Sequence, residues 1–352
     1  MGCTTIPWDE AGEYSTNLFS RRAIGVIEKH DADAAGLFLF LAYQGVHAPR
    51  QAPALYVKPY EDSIADPSRR TFAGMVSALD EGLANVTGAL GAKGMLDDTL
   101  IIVTTDNGGP TTECSTTGQS NWPFRGSKCS VWEGGTRGTS FVYWAGLRAT
   151  SAISPYGGLA HAADWLPTIV SALGAAPLRP NETLPLDGVD LWPSLVAGAA
   201  SPRADVYYGI SQDHKGPAVR DTDGFKLILS ASGGGAGMWS RQQLPNASSM
   251  SVSVVLTIEE LGIAAAAPAR ELLLAEGAAP DSELLYSLPA DPGEHSPLPL
   301  DDPQNAAIAQ RLRTRISEYE HDKVPQQTGD PSCPDFAPRN ASQGKWIGPW
   351  CD

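Results

Sequence analysis

The residues with the clearest chemical potential in this sequence are Asp106 and Asn107, which come directly after the β-branched run Leu100 to Val103. Such a run is typical of a strand buried in an α/β sheet, and the Gly-Gly-Pro after the pair forces the chain to turn. Ligands of open α/β sheets collect at the carboxyl ends of strands. A carboxylate and an amide oxygen at such a position suit Ca²⁺ or Mg²⁺ better than a softer metal ion.

An Asx-type turn is the alternative interpretation of this pair, because both side chains could simply satisfy their own backbone. The residues that follow favour a ligand site. Arg125, Lys128 and Arg137 bring three cations close to the pair in sequence, and neighbouring glycines allow the backbone to approach a ligand. A divalent cation beside lysine and arginine is the arrangement that holds an oxyanion and stabilises charge building on it.

Composition and charge narrow the function classes. The 352 residues carry a formal net charge of −15, which argues against a nucleic-acid partner. With 42% hydrophobic and 18% charged residues the sequence is typical of a globular protein, and no apolar run approaches the ~20 residues of a membrane span. Five cysteines, an odd number, show no metal-type spacing and leave any disulfide connectivity open.

The signals for cellular location conflict. Residues 1–15 contain no basic segment followed by an apolar one, so no signal peptide is visible. Four Asn-x-Ser/Thr sequons nevertheless exceed the roughly one expected by chance, and they favour a glycoprotein of the secretory pathway. The predicted glycosylation sites are Asn85, Asn181, Asn246 and Asn340.

Three separate motifs resemble those of one enzyme family and occur in its order. They are Thr104-Thr-Asp-Asn-Gly-Gly, Asn121-Trp-Pro-Phe-Arg-Gly-Ser-Lys and Val131-Trp-Glu-Gly-Gly-Thr-Arg-Gly. From about Tyr14 onward the sequence resembles the second half of type I sulfatases, most closely the arylsulfatase B or N-acetylgalactosamine-4-sulfatase group. The resemblance implies a formylglycine-dependent, calcium-dependent hydrolase of sulfate esters, lysosomal or extracellular, whose partner is a sulfated small molecule or glycan.

The resemblance also implies roles for individual residues. Asp106 and Asn107 would hold Ca²⁺, with Mg²⁺ the second choice, and Lys128 would bind a sulfate oxygen. His47, in Val46-His-Ala-Pro, would contact the sulfate and donate a proton to the leaving-group oxygen. Without the resemblance, a histidine in such a loop is usually a hydrogen-bonded structural residue.

The nucleophile motif of the family is absent from this sequence. The family oxidises a cysteine in Cys-x-Pro-x-Arg or Cys-x-Ala-x-Arg to formylglycine, and no cysteine here has that context. We therefore expect the chain to correspond to the C-terminal part of a sulfatase, inactive alone and able to associate with a missing N-terminal half. Two alternatives stay open: a non-catalytic binding module derived from a sulfatase, and a phosphate-ester hydrolase of the same superfamily.

The expected fold is α/β: an incomplete alkaline-phosphatase-like sulfatase fold, lacking its N-terminal part, with a smaller C-terminal α+β domain. Residues 1–13 form a divergent segment and 14–204 the catalytic α/β part. Residues 205–325 form the smaller domain, with a Gly/Ala-rich insertion at 231–283, and 326–352 a tail that packs back.

Hydrophobic periodicity predicts the main elements. The expected helices are one capped by Ser15 or Thr16 and ending near His30, one over Arg69–Lys93 with a stripe that includes Val76, one capped by Asp164 and ending at Gly174, and one over Asn305–Asp322. The expected strands are a buried one at Leu37–Tyr43, others at Leu96–Thr105 and Thr139–Trp144, and a small antiparallel sheet around Tyr207, 218–220 and 225–229, followed by a last strand from Leu284.

Overall fold

The computed structural model describes residues 12–110, 118–148, 155–175, 186–209, 217–229 and 283–322. The helices there are α1 (Ser15–Lys29), α2 (Ala54–Val57), α3 (Pro67–Ala92), α4 (Glu133–Thr136), α5 (Ala145–Arg148), α6 (Trp165–Ala172), α7 (Trp192–Ala197) and α8 (Pro303–Asp322). The strands are β1 (Ile101–Thr104), β2 (Ser140–Tyr143), β3 (Asp205–Tyr208), β4 (Ala218–Asp221), β5 (Phe225–Ile228) and β6 (Leu284–Ser287). Short 3₁₀ turns occupy Lys58–Tyr60, Leu96–Asp98 and Ala162–Asp164.

Helix α3 packs against α1, and small residues set its buried face. Asp66 caps α3 by accepting a hydrogen bond from the Arg69 amide at 2.8 Å. Gly82 lies so close to α1 that an added Cβ would be 2.5 Å from Ser20 Oγ. Because α1 comes close to α3 at its small residues, these residues belong to the buried face of α3. Val76 lies off this face and is 44% exposed, so its predicted place in the core stripe is wrong.

The start of α1 also differs from the prediction. Its N-cap is Tyr14, which makes no side-chain capping bond. Thr16 is buried inside the helix instead, where its carbonyl accepts a hydrogen bond from Ser20 Oγ at 2.8 Å. The expected cap at Ser15 or Thr16 is therefore wrong, because the helix begins at Ser15 and both residues lie within its first turn.

The segment 37–43, expected to be a buried strand, has no β-ladder in the described part of the chain. Leu37 and Leu41 pack onto the α1–α3 core, whereas Phe38 and Phe40 are 79% and 81% exposed. Alternate residues thus point to opposite sides, as in a strand, but only one side is covered. The prediction of a buried strand is wrong, because no described strand pairs with this segment and one of its sides is exposed.

Strands β1 and β2 form a two-stranded antiparallel sheet, with Ile101 opposite Tyr143 and Thr104 opposite Ser140. β1 is shorter than predicted because Leu96–Asp98 forms a 3₁₀ turn. It is half-buried rather than covered on both faces, and Thr104 at its end is exposed. The strand predicted over Thr139–Trp144 is β2.

A second sheet, of four antiparallel strands in the order β3-β4-β5-β6, confirms the predicted small antiparallel sheet. Helix α8 covers one face, as its apolar periodicity predicts. The shared core on that face consists of Val219, Leu227, Leu285, Ala309, Leu312 and Ile316. Trp132, from the loop before α4, packs on a second cluster of the same sheet, with its ring 5.8 Å from that of Tyr286.

Asp164 connects the segment before α6 to the start of β3. Its carboxylate accepts hydrogen bonds from the His161 amide at 2.7 Å and the Val189 amide at 2.9 Å. Arg203 forms a two-pronged ion pair with it, and Arg203 Nε lies 2.7 Å from Asp164 Oδ2. The side chain of Asp164 therefore reaches back to His161 rather than capping α6 as predicted.

Several predictions fall outside this description. Asn181, Asn246, Asn340, the insertion at 231–283 and the tail at 326–352 lie outside the described residues. Asn85 is exposed on α3. Within the described residues, no helix is long and apolar enough to cross a membrane.

Candidate functional site

Asp106 and Asn107 occupy the turn that leaves β1. Asp106 Oδ1 accepts a hydrogen bond from the Asn107 amide at 2.9 Å, and Asn107 Nδ2 donates to the Gly108 carbonyl at 2.8 Å. Both side chains thus bond to neighbouring backbone, as the alternative interpretation predicts, but Asp106 bonds to the next amide rather than to the amide two residues on that defines an Asx turn. Asp106 is exposed, and its Oδ2 and Asn107 Oδ1 accept no hydrogen bond from any described residue. One carboxylate oxygen and one amide oxygen remain available to a ligand.

Glycines bring the turn against α4. The Gly108 amide donates to the Gly135 carbonyl at 3.0 Å. An added Cβ on Gly108 would lie 1.8 Å from the Gly134 carbonyl oxygen, which excludes any larger side chain without a shift of backbone. The Gly134 amide in turn donates to the Arg125 carbonyl at 2.6 Å. The motif glycines therefore act through close backbone contact.

Lys128 lies on a loop joined to the same turn. Its amide donates to the Gly109 carbonyl at 3.2 Å. Asn121 ties the loop from the other side, because its Oδ1 accepts from the Gly109 amide at 2.8 Å and its Nδ2 donates to the Gly109 carbonyl at 2.8 Å. Lys128 is half-buried, and its ammonium forms no ion pair with any described residue. A half-buried unpaired ammonium is suited to bind an anion.

The two neighbouring arginines are used differently. Arg125 donates to the Glu294 carbonyl at 3.1 Å and stacks 4.0 Å above the Trp132 ring. Arg137 lies 4.5 Å from the centre of the Phe124 ring and 3.8 Å from Glu133. Both arginines contact neighbouring side chains or backbone, so Lys128 is the one of the three cations that we retain as the candidate anion ligand.

His47 lies in the turn that follows segment 37–43. Its ring Nδ1 is 2.9 Å from the Ala48 carbonyl, and its amide donates to the Gln44 carbonyl at 3.0 Å. The side chain is exposed, and Nε2 makes no hydrogen bond to a described residue. No contact within the described residues joins His47 to the Asp106–Lys128 loops. The structure thus joins the Asp106–Asn107 turn to the Lys128 loop through Gly109, whereas it shows no direct hydrogen bond between His47 and either loop.

Sequence reasoning missed a buried charge cluster behind the site. Lys226 Nζ lies 2.9 Å from Glu133 Oε1 and 2.8 Å from Glu294 Oε1, and all three residues are at most 1% exposed. The available signal was a lysine inside the apolar strand Phe-Lys-Leu-Ile of β5. Burial alone would lower the pKa of Lys226, but Glu133 and Glu294 outweigh it and raise that pKa.

The donor set fits a hard cation in chemistry but only partly in number. Ca²⁺ takes six to eight oxygen ligands, and Asp106 with Asn107 supplies about two. Among the described residues, no group of three or more His, Cys, Asp or Glu could hold a metal ion. A full coordination shell therefore needs oxygens other than those of Asp106 and Asn107.

Comparisons with known proteins identify the relatives of this chain. Residues 3–175 match the family model described as Sulfatase. The chain is 41% identical over 204 residues to arylsulfatase J of Mus musculus, covering 58% of this chain and 32% of that protein. It is 32% identical over 203 residues to arylsulfatase A of Homo sapiens, covering 57% and 36%. The chain spans about a third of the length of these curated relatives.

Solved structures show the same fold. Ps i-CgsB superposes with a TM-score of 0.66 at 22% identity, over 89% of this chain and 56% of that one. The phosphonate monoester hydrolase of Silicibacter pomeroyi gives 0.53 at 17% identity, over 88% and 60%. The fold is thus part of the α/β fold shared by sulfatases and alkaline-phosphatase-like hydrolases. The chain belongs to the type I sulfatase family, and the relatives do not single out the predicted arylsulfatase B group.

Proposed function

We propose that this chain supplies the metal-binding turn and the sulfate-binding lysine of a sulfuric ester hydrolase that acts on a sulfated glycan or small molecule. Asp106 and Asn107 would contribute oxygens to Ca²⁺, whose charge would neutralise a sulfate oxygen. Lys128 would hold a second sulfate oxygen and stabilise charge that develops in the transition state. His47 would donate a proton from its exposed ring to the departing alcohol.

The observation that supports this proposal is the joining of the metal turn to the lysine loop. The Lys128 amide and the Asn121 side chain both bond to Gly109, two residues after Asn107. Oxygen donors and an unpaired ammonium are thereby held on adjacent backbone, as a bound oxyanion requires. Because a phosphate ester would need the same groups, family membership decides between the two substrates and favours sulfate.

Asp106→Ala tests the metal assignment. The expected result is at least about a ten-fold loss of Ca²⁺ affinity for the 352-residue chain, because the carboxylate of the proposed Asp106–Asn107 donor pair is removed. Isothermal titration with Ca²⁺ measures it. Asp97→Ala is the matched control, since Asp97 is an exposed aspartate before the other end of β1. Unchanged Ca²⁺ affinity in Asp106→Ala would remove the metal assignment.

We further propose that the uncovered side of segment 37–43 associates with the complementary N-terminal part of a sulfatase domain. Two phenylalanines, Phe38 and Phe40, point outward from an extended segment, and Leu37 and Leu41 of the same segment share a core with Ile101 of β1. A second strand pairing here would cover exposed aromatic surface and satisfy backbone groups at once.

Co-expression with such a part carrying a Cys-x-Pro-x-Arg motif tests the association. Co-purification and hydrolysis of 4-nitrocatechol sulfate are expected for the pair, with no hydrolysis by this chain alone. Phe38→Ser with Phe40→Ser should abolish co-purification, whereas Leu55→Ser, which changes another exposed apolar residue, should not. Association without hydrolysis would favour the non-catalytic binding module instead.

We propose that the protein acts in the secretory pathway, the location that fits this function best. Asn85 is exposed in the middle of α3, with room for a glycan. We expect Asn85→Gln to lower the apparent mass of the protein secreted from a eukaryotic host by one glycan. An unchanged mass would leave Asn85 unmodified.

A further inference from the structure

The buried cluster of Glu133, Lys226 and Glu294 has no part in the ligand chemistry proposed above. Glu133 begins α4, Lys226 lies in the middle of β5, and Glu294 lies in the turn after β6. Lys226 is fully buried and lies within 3 Å of one carboxylate oxygen from each glutamate. The cluster therefore joins the four-stranded sheet to the loop that carries Lys128.

Such a cluster is an inefficient way to stabilise a fold. Removing three charges from water costs several kcal/mol per ion, and apolar replacements of buried ion pairs are often neutral or stabilising. In this protein the cluster instead fixes the position of Glu133. The Glu133 amide donates to Glu294 Oε2 at 2.7 Å, while the Glu133 carboxylate accepts from Lys226. Arg220 Nη1 also lies 3.3 Å from Glu133 Oε2. Main chain and side chain of one residue are thus fixed together.

Helix α4 transmits this position to the candidate site. Two residues after Glu133, the Gly135 carbonyl accepts the amide of Gly108, and the Gly134 carbonyl fills the space where a Gly108 side chain would be. Gly108 follows Asn107 directly, and Gly109 holds the amide of Lys128. A shift of α4 would therefore displace the oxygen donors and the lysine together.

We propose that Lys226 is a positioning residue for this site: by clamping Glu133 against Glu294, it sets the place of α4 and hence of the Asp106–Asn107 turn and Lys128. The purpose of that positioning rests on the proposed function, but the mechanical link does not. Lys226 touches neither Asp106 nor Lys128, so its effect must pass through Glu133 and the glycines.

Lys226→Met in the 352-residue chain tests the link by amide-resolved hydrogen exchange. We expect exchange at Gly108 and Lys128 to accelerate by at least about ten-fold relative to Leu227 and Leu285, whose amides belong to the four-stranded sheet. Arg311→Met is the matched control. It breaks a 2.6 Å ion pair with Asp221 on the same sheet but does not contact Glu133.

Equal acceleration in the sheet and at the site would mean that Lys226 only stabilises the sheet, and this result would overturn the proposal. No acceleration at Gly108, or the same acceleration in Arg311→Met, would also overturn it. If Lys226→Met does not fold, Glu294→Gln replaces it. That variant keeps an oxygen acceptor for the Glu133 amide but removes one charge from around Lys226, and a smaller site-selective acceleration is expected.

Ca²⁺ titration of the same variants separates this proposal from the proposed function. Weaker Ca²⁺ binding in Lys226→Met than in Arg311→Met would support the positioning of the metal turn. If the unmodified chain binds no Ca²⁺, the metal assignment fails, and the exchange at Gly108 still decides whether Lys226 positions the turn.

Discussion

Replacing Asp164 by alanine should be one of the most destabilising single changes in this protein. The Asp164 carboxylate is fully buried and binds three partners: the guanidinium of Arg203 and the amides of His161 and Val189. Arg203 is itself buried, and among the described residues its guanidinium would keep hydrogen bonds to the carbonyls of Asp187 and Asp205. A buried cation would thus lose its directly bound carboxylate.

The magnitude follows from these contacts. Breaking a buried ion pair by removing one partner costs about 3–5 kcal/mol, and each buried amide that loses its acceptor adds about 1 kcal/mol or more. With two such amides, we therefore expect Asp164→Ala to lower the free energy of unfolding by about 5–7 kcal/mol. Arg203→Met should cost less, about 3 kcal/mol, because Asp164 would keep both amide donors.

Urea denaturation followed by tryptophan fluorescence measures both values. At about 2–4 °C per kcal/mol, the melting temperature of Asp164→Ala should fall by about 10–28 °C. Arg21→Met is the control, because the Arg21–Glu13 pair at 2.6 Å is solvent-exposed and should be worth less than about 1 kcal/mol. A loss below 1 kcal/mol in Asp164→Ala, or a larger loss in Arg203→Met, would refute the reasoning.

Two further predictions concern the site and the cluster behind it. Gly108→Ala should weaken Ca²⁺ binding at least about ten-fold and cost about 1–3 kcal/mol of stability, because the new Cβ would clash with the Gly134 carbonyl. Ca²⁺ titration and urea denaturation measure the two effects. Gly88→Ala is the control, since the space around Gly88 is open. Burial raises the pKa of Glu294 to about 7, with Lys226 opposing and Glu133 adding to the shift. A carboxyl whose folded pKa is raised contributes stability that is full below its unfolded pKa and is lost as pH rises through the folded value. The urea concentration at the unfolding midpoint of the unmodified chain should therefore decrease as the pH rises from about 5 to about 8, and Glu294→Gln should reduce this decrease. An equal pH dependence of the midpoint in the two proteins would contradict the assignment.

Local patterns in the sequence predicted the parts of the fold that depend on local rules. The periodicity of Ile308, Leu312 and Ile316 gave the buried face of α8, and the turn at Asp106 follows from a strand that ends in Gly-Gly-Pro. Segment 37–43 shows the limit of this approach. Its composition predicts a buried strand. Whether the segment pairs depends on which other strands lie beside it, and local composition does not contain that information.

The candidate site divides in the same way. Asp106, Asn107 and Lys128 are recognisable because they lie within short motifs of fixed spacing. The pairing of Lys226 with Glu133 joins residues 93 positions apart, and a single sequence contains no signal for which carboxylates a buried lysine will meet. Arg125 shows the converse error, since its closeness in sequence suggested an anion ligand but its contacts with Trp132 and Glu294 make it structural.

The position of Trp132 has a consequence for dissecting this protein. Its indole comes from the motif loop but is buried in the apolar cluster of the four-stranded sheet, beside Ala218, Ile228 and Tyr286. A fragment ending before β3 would leave that ring in water, and an isolated small sheet would have a hole of the same shape. Limited proteolysis should therefore release no independently folded piece, and the two sheets should melt in a single cooperative transition.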